Sequence, residues 1–129
     1  MGIPSAHARL LMRVSKQRPF GGSILQLGRQ DVALDDKTLQ SIADEESFGI
    51  ASIKGGAHYR KSRFNNLKVM DDVYFFKRLG FSSVHALDVS DYERAEILHD
   101  LNVPLSSTST NNVAVEAKLL PCIAAAKHW

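Results

Sequence analysis

Two acidic residues, Asp88 and Asp100, each follow a short apolar run and could together hold a nucleoside. Asp88 ends the run formed by residues 84–87, and Asp100 closely follows Ile97 and Leu98. Because ligands of open α/β sheets bind outside the carboxyl ends of the strands, we expect the two carboxylates to stand at one rim, one strand apart. One carboxylate would accept hydrogen bonds from ribose hydroxyls, and a polar group on the next strand would contact a base edge.

A simpler interpretation exists for each of these polar residues. The sequence Asp-Val-Ser-Asp at residues 88–91 is favourable in turns, so Asp88 could only cap a turn. Both interpretations stay open for Asp88, whereas Asp91 is better explained by the turn. His85 and His99 fall in predicted strands, where we expect packing or hydrogen bonding and no catalytic role. The histidines form no ligand pattern with Cys122 or with a neighbouring carboxylate, so no metal site is predicted.

The composition is that of an ordinary soluble domain. The chain has 129 residues, of which 44% are hydrophobic and 23% charged, and its formal net charge is +2. This charge provides no strong attraction to nucleic acid or to an anionic membrane. No apolar run approaches the roughly 18 to 20 residues that a transmembrane helix needs. A single cysteine, Cys122, leaves no partner for an intrachain disulfide and favours a reducing compartment, so we expect a cytoplasmic protein.

Strands and helices are predicted to alternate, which indicates an α/β fold with parallel strand pairing. Apolar runs predict strands at residues 23–27, 84–87 and 97–98. Capping acids predict two helices, one starting at Asp35 or Asp36 and running to about residue 44, the other starting at Asp71 or Asp72 and stopped by Gly80.

Three segments give weaker signals. The first helix near the start could have an apolar face formed by Leu10, Leu11 and Val14. Because this part of the chain has no acidic residue, it can mimic a mitochondrial targeting segment, but a surface helix is the preferred interpretation. Residues 48–53 form an ambiguous strand. Residues 54–68 are basic and interleaved with aromatic residues, a pattern that can bind single-stranded nucleic acid but is more typical of a solvated loop or a mobile cover over a site.

The character of the chain changes after Leu105. Residues 106–112 are rich in serine, threonine and asparagine and favour a linker. Residues 113–127 are apolar and rich in alanine, but Pro121 would break or kink a helix there. We therefore divide the chain into a cofactor-binding domain at residues 1–105 and a linker with an atypical tail at residues 106–129.

Three short sequence motifs make the chain resemble the class I S-adenosylmethionine-dependent methyltransferases. They are Leu-Gly-Phe at residues 79–81, Leu-Asp-Val-Ser-Asp-Tyr-Glu at residues 87–93 and His-Asp-Leu-Asn-x-Pro at residues 99–104. The resemblance covers about residues 20–105. It implies a Rossmann-like, mostly parallel sheet with helices on both faces, of which this chain holds the first half. It also implies S-adenosylmethionine as the cofactor.

The resemblance assigns cofactor-binding roles to four residues. Gly28, in the turn after the first strand, would approach the methionine part of the cofactor, and Asp88 would bind the ribose. Asp100 and Leu101 would contact the adenine. No catalytic residue is assigned, and the methyl acceptor stays unknown.

The chain departs from the family pattern in three ways. Gly28 is followed by Arg29 and not by a run of glycines, and roughly sixty residues separate Gly28 from Asp88, where a compact dinucleotide-binding unit has about twenty. An additional segment is therefore expected between them. The tail carries no match to the family's fourth strand, so we expect an amino-terminal half that is incomplete and inactive alone, with an unrelated or frame-shifted tail.

Other interpretations stay open beside a methyltransferase. The chain could be a small nucleotide-binding or interaction module without chemistry, or the basic segment at residues 54–68 could bind RNA. Half of a doubly wound sheet would also expose the edge of its first strand, and exposed edges invite pairing with other chains. We therefore predict low folding stability and a tendency toward self-association.

Overall fold

The computed structural model describes residues 2–62 and 65–104. Its elements in chain order are β1 (Gly2–Ile3), α1 (Ser5–Gln17), β2 (Ser23–Leu27), β3 (Asp31–Val32), α2 (Asp36–Glu45), β4 (Tyr59–Lys61), β5 (Lys68–Met70), α3 (Asp72–Arg78), β6 (Ser83–Asp88) and β7 (Ile97–Leu98). Sheets with flanking helices confirm the predicted α/β class. The predicted linker and tail at residues 106–129 lie outside the described residues.

The chain folds into two compact units. Among the described residues, unit 1 comprises residues 2–21 and 30–82 and unit 2 comprises residues 22–29 and 83–104. The long segment between Gly28 and Asp88 thus belongs largely to unit 1. Unit 1 carries α1, α2 and α3 with a mixed sheet in the order β1-β3-β5-β4, in which β1 and β3 are parallel and the other pairs antiparallel.

Two helices of unit 1 begin where the capping acids predict. The Asp35 carboxylate accepts a hydrogen bond from the Thr38 amide at 2.7 Å, and the Asp71 carboxylate accepts one from the Tyr74 amide at 3.2 Å. Such bonds satisfy amide groups that have no partner within the first turn. Gly80, with φ of +112°, follows the end of α3 in a conformation that suits glycine, so the predicted stop is also confirmed.

The predicted apolar face of the first helix is wrong. α1 buries Ala8, Met12 and Ser15, whereas Leu10 is 58% and Val14 37% exposed. The arginines of α1 explain this rotation, because they bind Glu46 at the end of α2 and so turn their side of the helix toward that helix.

Two predictions for the middle of the chain are also wrong. Residues 48–53 form no strand; instead, Ala51 and Arg78 exchange hydrogen bonds, with the Ala51 amide donating to the Arg78 carbonyl at 2.9 Å. The segment 54–68 is not wholly irregular, because it contains β4 and the first residue of β5. β4 pairs with β5, and β5 pairs with β3, a distant partner that leaves no local signal in a basic sequence.

We expect the interaction between α1 and α2 to make unit 1 sensitive to acid. Glu46 accepts hydrogen bonds from Arg13 at 2.9 and 3.0 Å and from Arg9 at 2.7 Å, and these bonds lower its pKa from 4.5 to about 2. A carboxyl whose folded pKa is lowered stabilises the fold above its unfolded pKa, and this stabilisation disappears as the pH falls from about 4.5 toward 2. Glu46→Gln should therefore lower the urea midpoint at neutral pH, with a difference from wild type that shrinks over this range.

The matched control for that prediction is Glu45→Gln. Glu45 also contacts Arg9, at 2.7 Å, but its side chain is 57% exposed whereas that of Glu46 is 10% exposed. Exposed ion pairs contribute little, so this control should unfold close to wild type. Equal urea midpoints for the two variants at neutral pH would contradict the prediction.

Unit 2 contains a wholly parallel sheet in the order β2-β6-β7, which confirms parallel pairing for the three predicted strands. The mixed sheet of unit 1 departs from the expected mostly parallel sheet, because β4 and β5 pair as a hairpin. The central strand β6 pairs with β2 along five residues and with β7 at its carboxyl end. Leu87 and Ile97 are buried together, and Leu25 packs against them. This small core holds the ends of the three strands in register.

Candidate functional site

Strand register brings the ends of β2, β6 and β7 to one rim of the unit 2 sheet. Leu27 lies beside Leu87, and Leu87 lies beside Ile97. Gly28 and Asp88 directly follow Leu27 and Leu87, and Asp100 lies three residues after Ile97. The rim therefore collects these three residues from three neighbouring strands, as expected for parallel strands.

Gly28 forms the turn at the end of β2. Its amide donates to the Leu87 carbonyl at 2.8 Å, and its φ of +75° lies in the left-handed region that favours glycine. A Cβ atom built on Gly28 would lie 3.8 Å from Oδ2 of Asp88. The glycine thus keeps an uncovered backbone next to the carboxylate of Asp88.

Asp88 is the last residue of β6, and its backbone and side chain have separate partners. Its carbonyl accepts from the His99 amide at 2.8 Å, which ties β6 to the residue after β7. Its Oδ1 accepts from the Val89 amide at 2.6 Å. Within the described part of the chain, Oδ2 accepts no hydrogen bond. Asp88 therefore caps its own turn with one oxygen and presents the other toward Gly28, so the two interpretations of this residue are compatible.

Asp100 stands at the same rim, two residues beyond β7. Its Oδ1 accepts from the Asn102 amide at 2.9 Å and from the Asn102 side-chain amide at 2.8 Å. These bonds lower the pKa of Asp100, so its carboxyl is ionised at neutral pH. Leu101 beside it is 64% exposed.

His99 lies at this rim and is held in place by a hydrogen bond. It is 8% exposed, and its Nε2 lies 2.8 Å from the Val103 carbonyl, a bond that requires the proton on Nε2. This contact closes the turn that carries Asp100. The expectation that His99 is hydrogen-bonded is confirmed, although it follows β7 and does not lie within it.

These groups surround one cleft of about 440 Å³. This volume falls within the range of about 300–1,000 Å³ that is typical of small-molecule sites. The lining residues are Leu27, Gly28, Leu87, Asp88, Val89, His99, Asp100, Leu101 and Asn102. The cleft thus contains all four residues to which the sequence analysis assigned cofactor contacts.

The cleft also contains residues that the sequence analysis did not single out. Leu27 is 65% and Val89 68% exposed, and with Leu101 they give the cleft an apolar rim around its two carboxylates. The sequence could have indicated these residues by their position, because each is adjacent to Gly28, Asp88 or Asp100. Asn102 was quoted within a motif, but its bonds to Asp100 were not foreseen.

An ion pair between Arg29 and Glu96 crosses the rim beside Gly28. The Arg29 side chain is 13% exposed, and the second carboxylate oxygen of Glu96 accepts from the Ala86 amide at 2.9 Å. Arg29 occupies a position where the resembling family has glycine. Through Glu96, this ion pair ties the turn after β2 to β6. A glycine-rich turn has no side chains that could form such a contact.

Comparison of the chain with protein-family models, with curated proteins and with solved structures finds no match. The class that the fold and cleft define is an α/β protein with an acidic cleft at the carboxyl ends of parallel strands. Within the described residues, no helix is long and apolar enough to cross a membrane. The same part of the chain holds no group of three histidine, cysteine, aspartate or glutamate side chains suited to a metal ion.

Proposed function

We propose that unit 2 is the cofactor-binding part of a class I S-adenosylmethionine-dependent methyltransferase with a Rossmann-like sheet. The observation that carries this proposal is the convergence of Gly28, Asp88 and Asp100 on one cleft. They follow three neighbouring parallel strands, and β6 lies in the middle. The proposal is also supported by the three sequence motifs that resemble the family, at residues 79–81, 87–93 and 99–104.

The chemistry of the cleft fits the nucleoside part of this cofactor. Oδ2 of Asp88 is available to accept from ribose hydroxyls, which are paired donors. The ionised carboxyl of Asp100 can accept from the exocyclic amino group of adenine. The exposed side chains of Val89 and Leu101 offer apolar contact to the flat base.

The methionine part of the cofactor would lie near Gly28. The absence of a side chain there lets a ligand approach the backbone closely. When bound, the cofactor supplies an electrophilic methyl group on a sulfonium, and methyl transfer gains mainly from proximity and orientation. The described residues of unit 2 provide binding and orientation; we assign none of them to the methyl acceptor or to a general base.

Isothermal titration calorimetry of the full chain tests this proposal with three ligands. S-adenosylhomocysteine should bind more tightly than adenosine, because it adds contacts near Gly28, and NAD should not bind measurably. Equal affinities for S-adenosylhomocysteine and adenosine would instead support a nucleoside-binding module without methyl transfer. Preference for NAD, or silence toward all three ligands, would contradict the methyltransferase proposal.

A further inference from the structure

The β4–β5 hairpin of unit 1 concentrates positive charge in a way that its fold does not require. Lys61 and Lys68 lie directly opposite each other in this antiparallel pair, and both are exposed. Like charges at such positions destabilise a sheet. Neither lysine forms an ion pair with any carboxylate in the described part of the chain. The hairpin therefore carries a repulsive pair that an anion would relieve.

The surrounding sequence contains no acid to neutralise this pair. Residues 47–70 include five lysines and arginines and neither aspartate nor glutamate. Arg60 has a structural role, because it contacts Asp31 at 2.9 Å and donates to the Gln30 carbonyl at 2.9 Å. Lys61 could protect the edge strand β4 from pairing, but Lys68 lies on the inner strand β5, where edge protection is not needed.

An aromatic ring lies beside Lys68. The hydroxyl of Tyr59 accepts from the Asp36 amide at 2.8 Å, which holds the ring at the start of α2. Lys68 Nζ lies 4.8 Å from the centre of this ring. A phosphate that draws Lys68 away would uncover a ring face on which a base can stack.

Tyr59 and Lys68 line one wall of a cleft of about 1010 Å³ in unit 1, and Lys61 lies next to this wall, opposite Lys68 on the paired strand. On that wall Asn65 offers an amide, and Leu67, which is 63% exposed, offers an apolar surface. Two acids also line this cleft: Asp31, which is paired with Arg60, and Asp35, whose pKa is lowered by hydrogen bonds from Thr38, so that its carboxyl is charged at neutral pH. The Asp35 carboxyl disfavours phosphates beside it and can accept from base amino groups.

We propose that this cleft binds single-stranded nucleic acid, with phosphates on Lys61 and Lys68 and a base stacked on Tyr59. Sites that bind single strands without strong sequence preference combine basic side chains with aromatic rings. All residues involved belong to unit 1, so the proposal is independent of the nucleoside cleft in unit 2.

Fluorescence anisotropy with a labelled oligouridine of about 12 nucleotides tests the proposal on the full chain. Wild type should bind at low salt. The double variant Lys61→Gln with Lys68→Gln should weaken binding by about tenfold. The slope of the logarithm of the binding constant against the logarithm of the salt concentration should become shallower by about 1.4, that is, about 0.7 for each lost phosphate contact. Lys16→Gln, which removes an exposed lysine from α1, is the matched control and should bind as wild type.

The role of the ring is tested separately at Tyr59. Tyr59→Phe keeps the stacking surface and should retain binding, whereas Tyr59→Leu should lose it, with circular dichroism to establish that each variant is folded. The proposal is overturned if wild type does not bind, or if the double lysine variant binds like wild type. It is also overturned if duplex DNA or anionic phospholipid vesicles bind as tightly as the oligouridine, because the site would then recognise charge alone.

Discussion

Asp88→Asn is expected to weaken the binding of S-adenosylhomocysteine by at least about a hundredfold. The substituted amide can still accept from the Val89 amide, so the turn should persist. It would place an NH₂ donor where Oδ2 now stands, and two ribose hydroxyls would lose charge-assisted bonds of about 1.5–3 kcal/mol each. Isothermal titration calorimetry measures this change directly.

The matched control for this substitution is Asp91→Asn. Asp91 is an exposed acid in the same connection, and it does not line the cleft. Its neutralisation changes the net charge by the same amount but should leave the affinity unchanged. If both variants bind S-adenosylhomocysteine as wild type does, Asp88 does not hold the ribose and serves only as a turn cap.

Phe75→Ala should produce the largest loss of stability that we expect for a single substitution in unit 1. Phe75 is fully buried and packs edge-on against Phe76, with 5.1 Å between ring centres. Truncating a buried phenylalanine costs about 3–5 kcal/mol, because apolar contacts are lost and a cavity is left. Since domains are stable by only about 5–15 kcal/mol, the urea unfolding midpoint should fall markedly.

The comparison variant is Phe81→Ala. Phe81 is only partly buried and stacks on Phe20, with 4.8 Å between ring centres. Its removal should cost less than the removal of Phe75, because part of the resulting gap is already open to water. A midpoint for Phe81→Ala as low as that for Phe75→Ala would mean that α3 does not provide the main core of unit 1.

The candidate cleft was predictable from sequence because its parts are encoded locally. Apolar runs predict the strands, and the acids at or just beyond the ends of β6 and β7 are placed by these runs. Parallel pairing was predicted from the alternation of strands and helices, and it brings Asp88 and Asp100 to one rim. The Asn102 bonds to Asp100 and the ion pair between Arg29 and Glu96 were not predictable, because each depends on side-chain geometry.

The basic segment at residues 54–68 shows the limit of local patterns most clearly. Its composition predicts a solvated loop, yet part of it pairs within a sheet. Val69 and Met70, which are buried, are too few to form a periodic signal. The opposition of Lys61 and Lys68 is a property of register, and register arises only when the strands pair.

By itself, the sequence determined where α2 and α3 begin and that acids stand at or just beyond the ends of β6 and β7. Caps such as Asp35 and Asp71 act within one turn, and apolar runs act within one strand, so neither needs a distant partner. Only the tertiary structure decided the face that α1 buries, the division into two units and the register of the hairpin. Those features depend on contacts such as that between Arg13 and Glu46, which join residues far apart in the chain and exist only after folding.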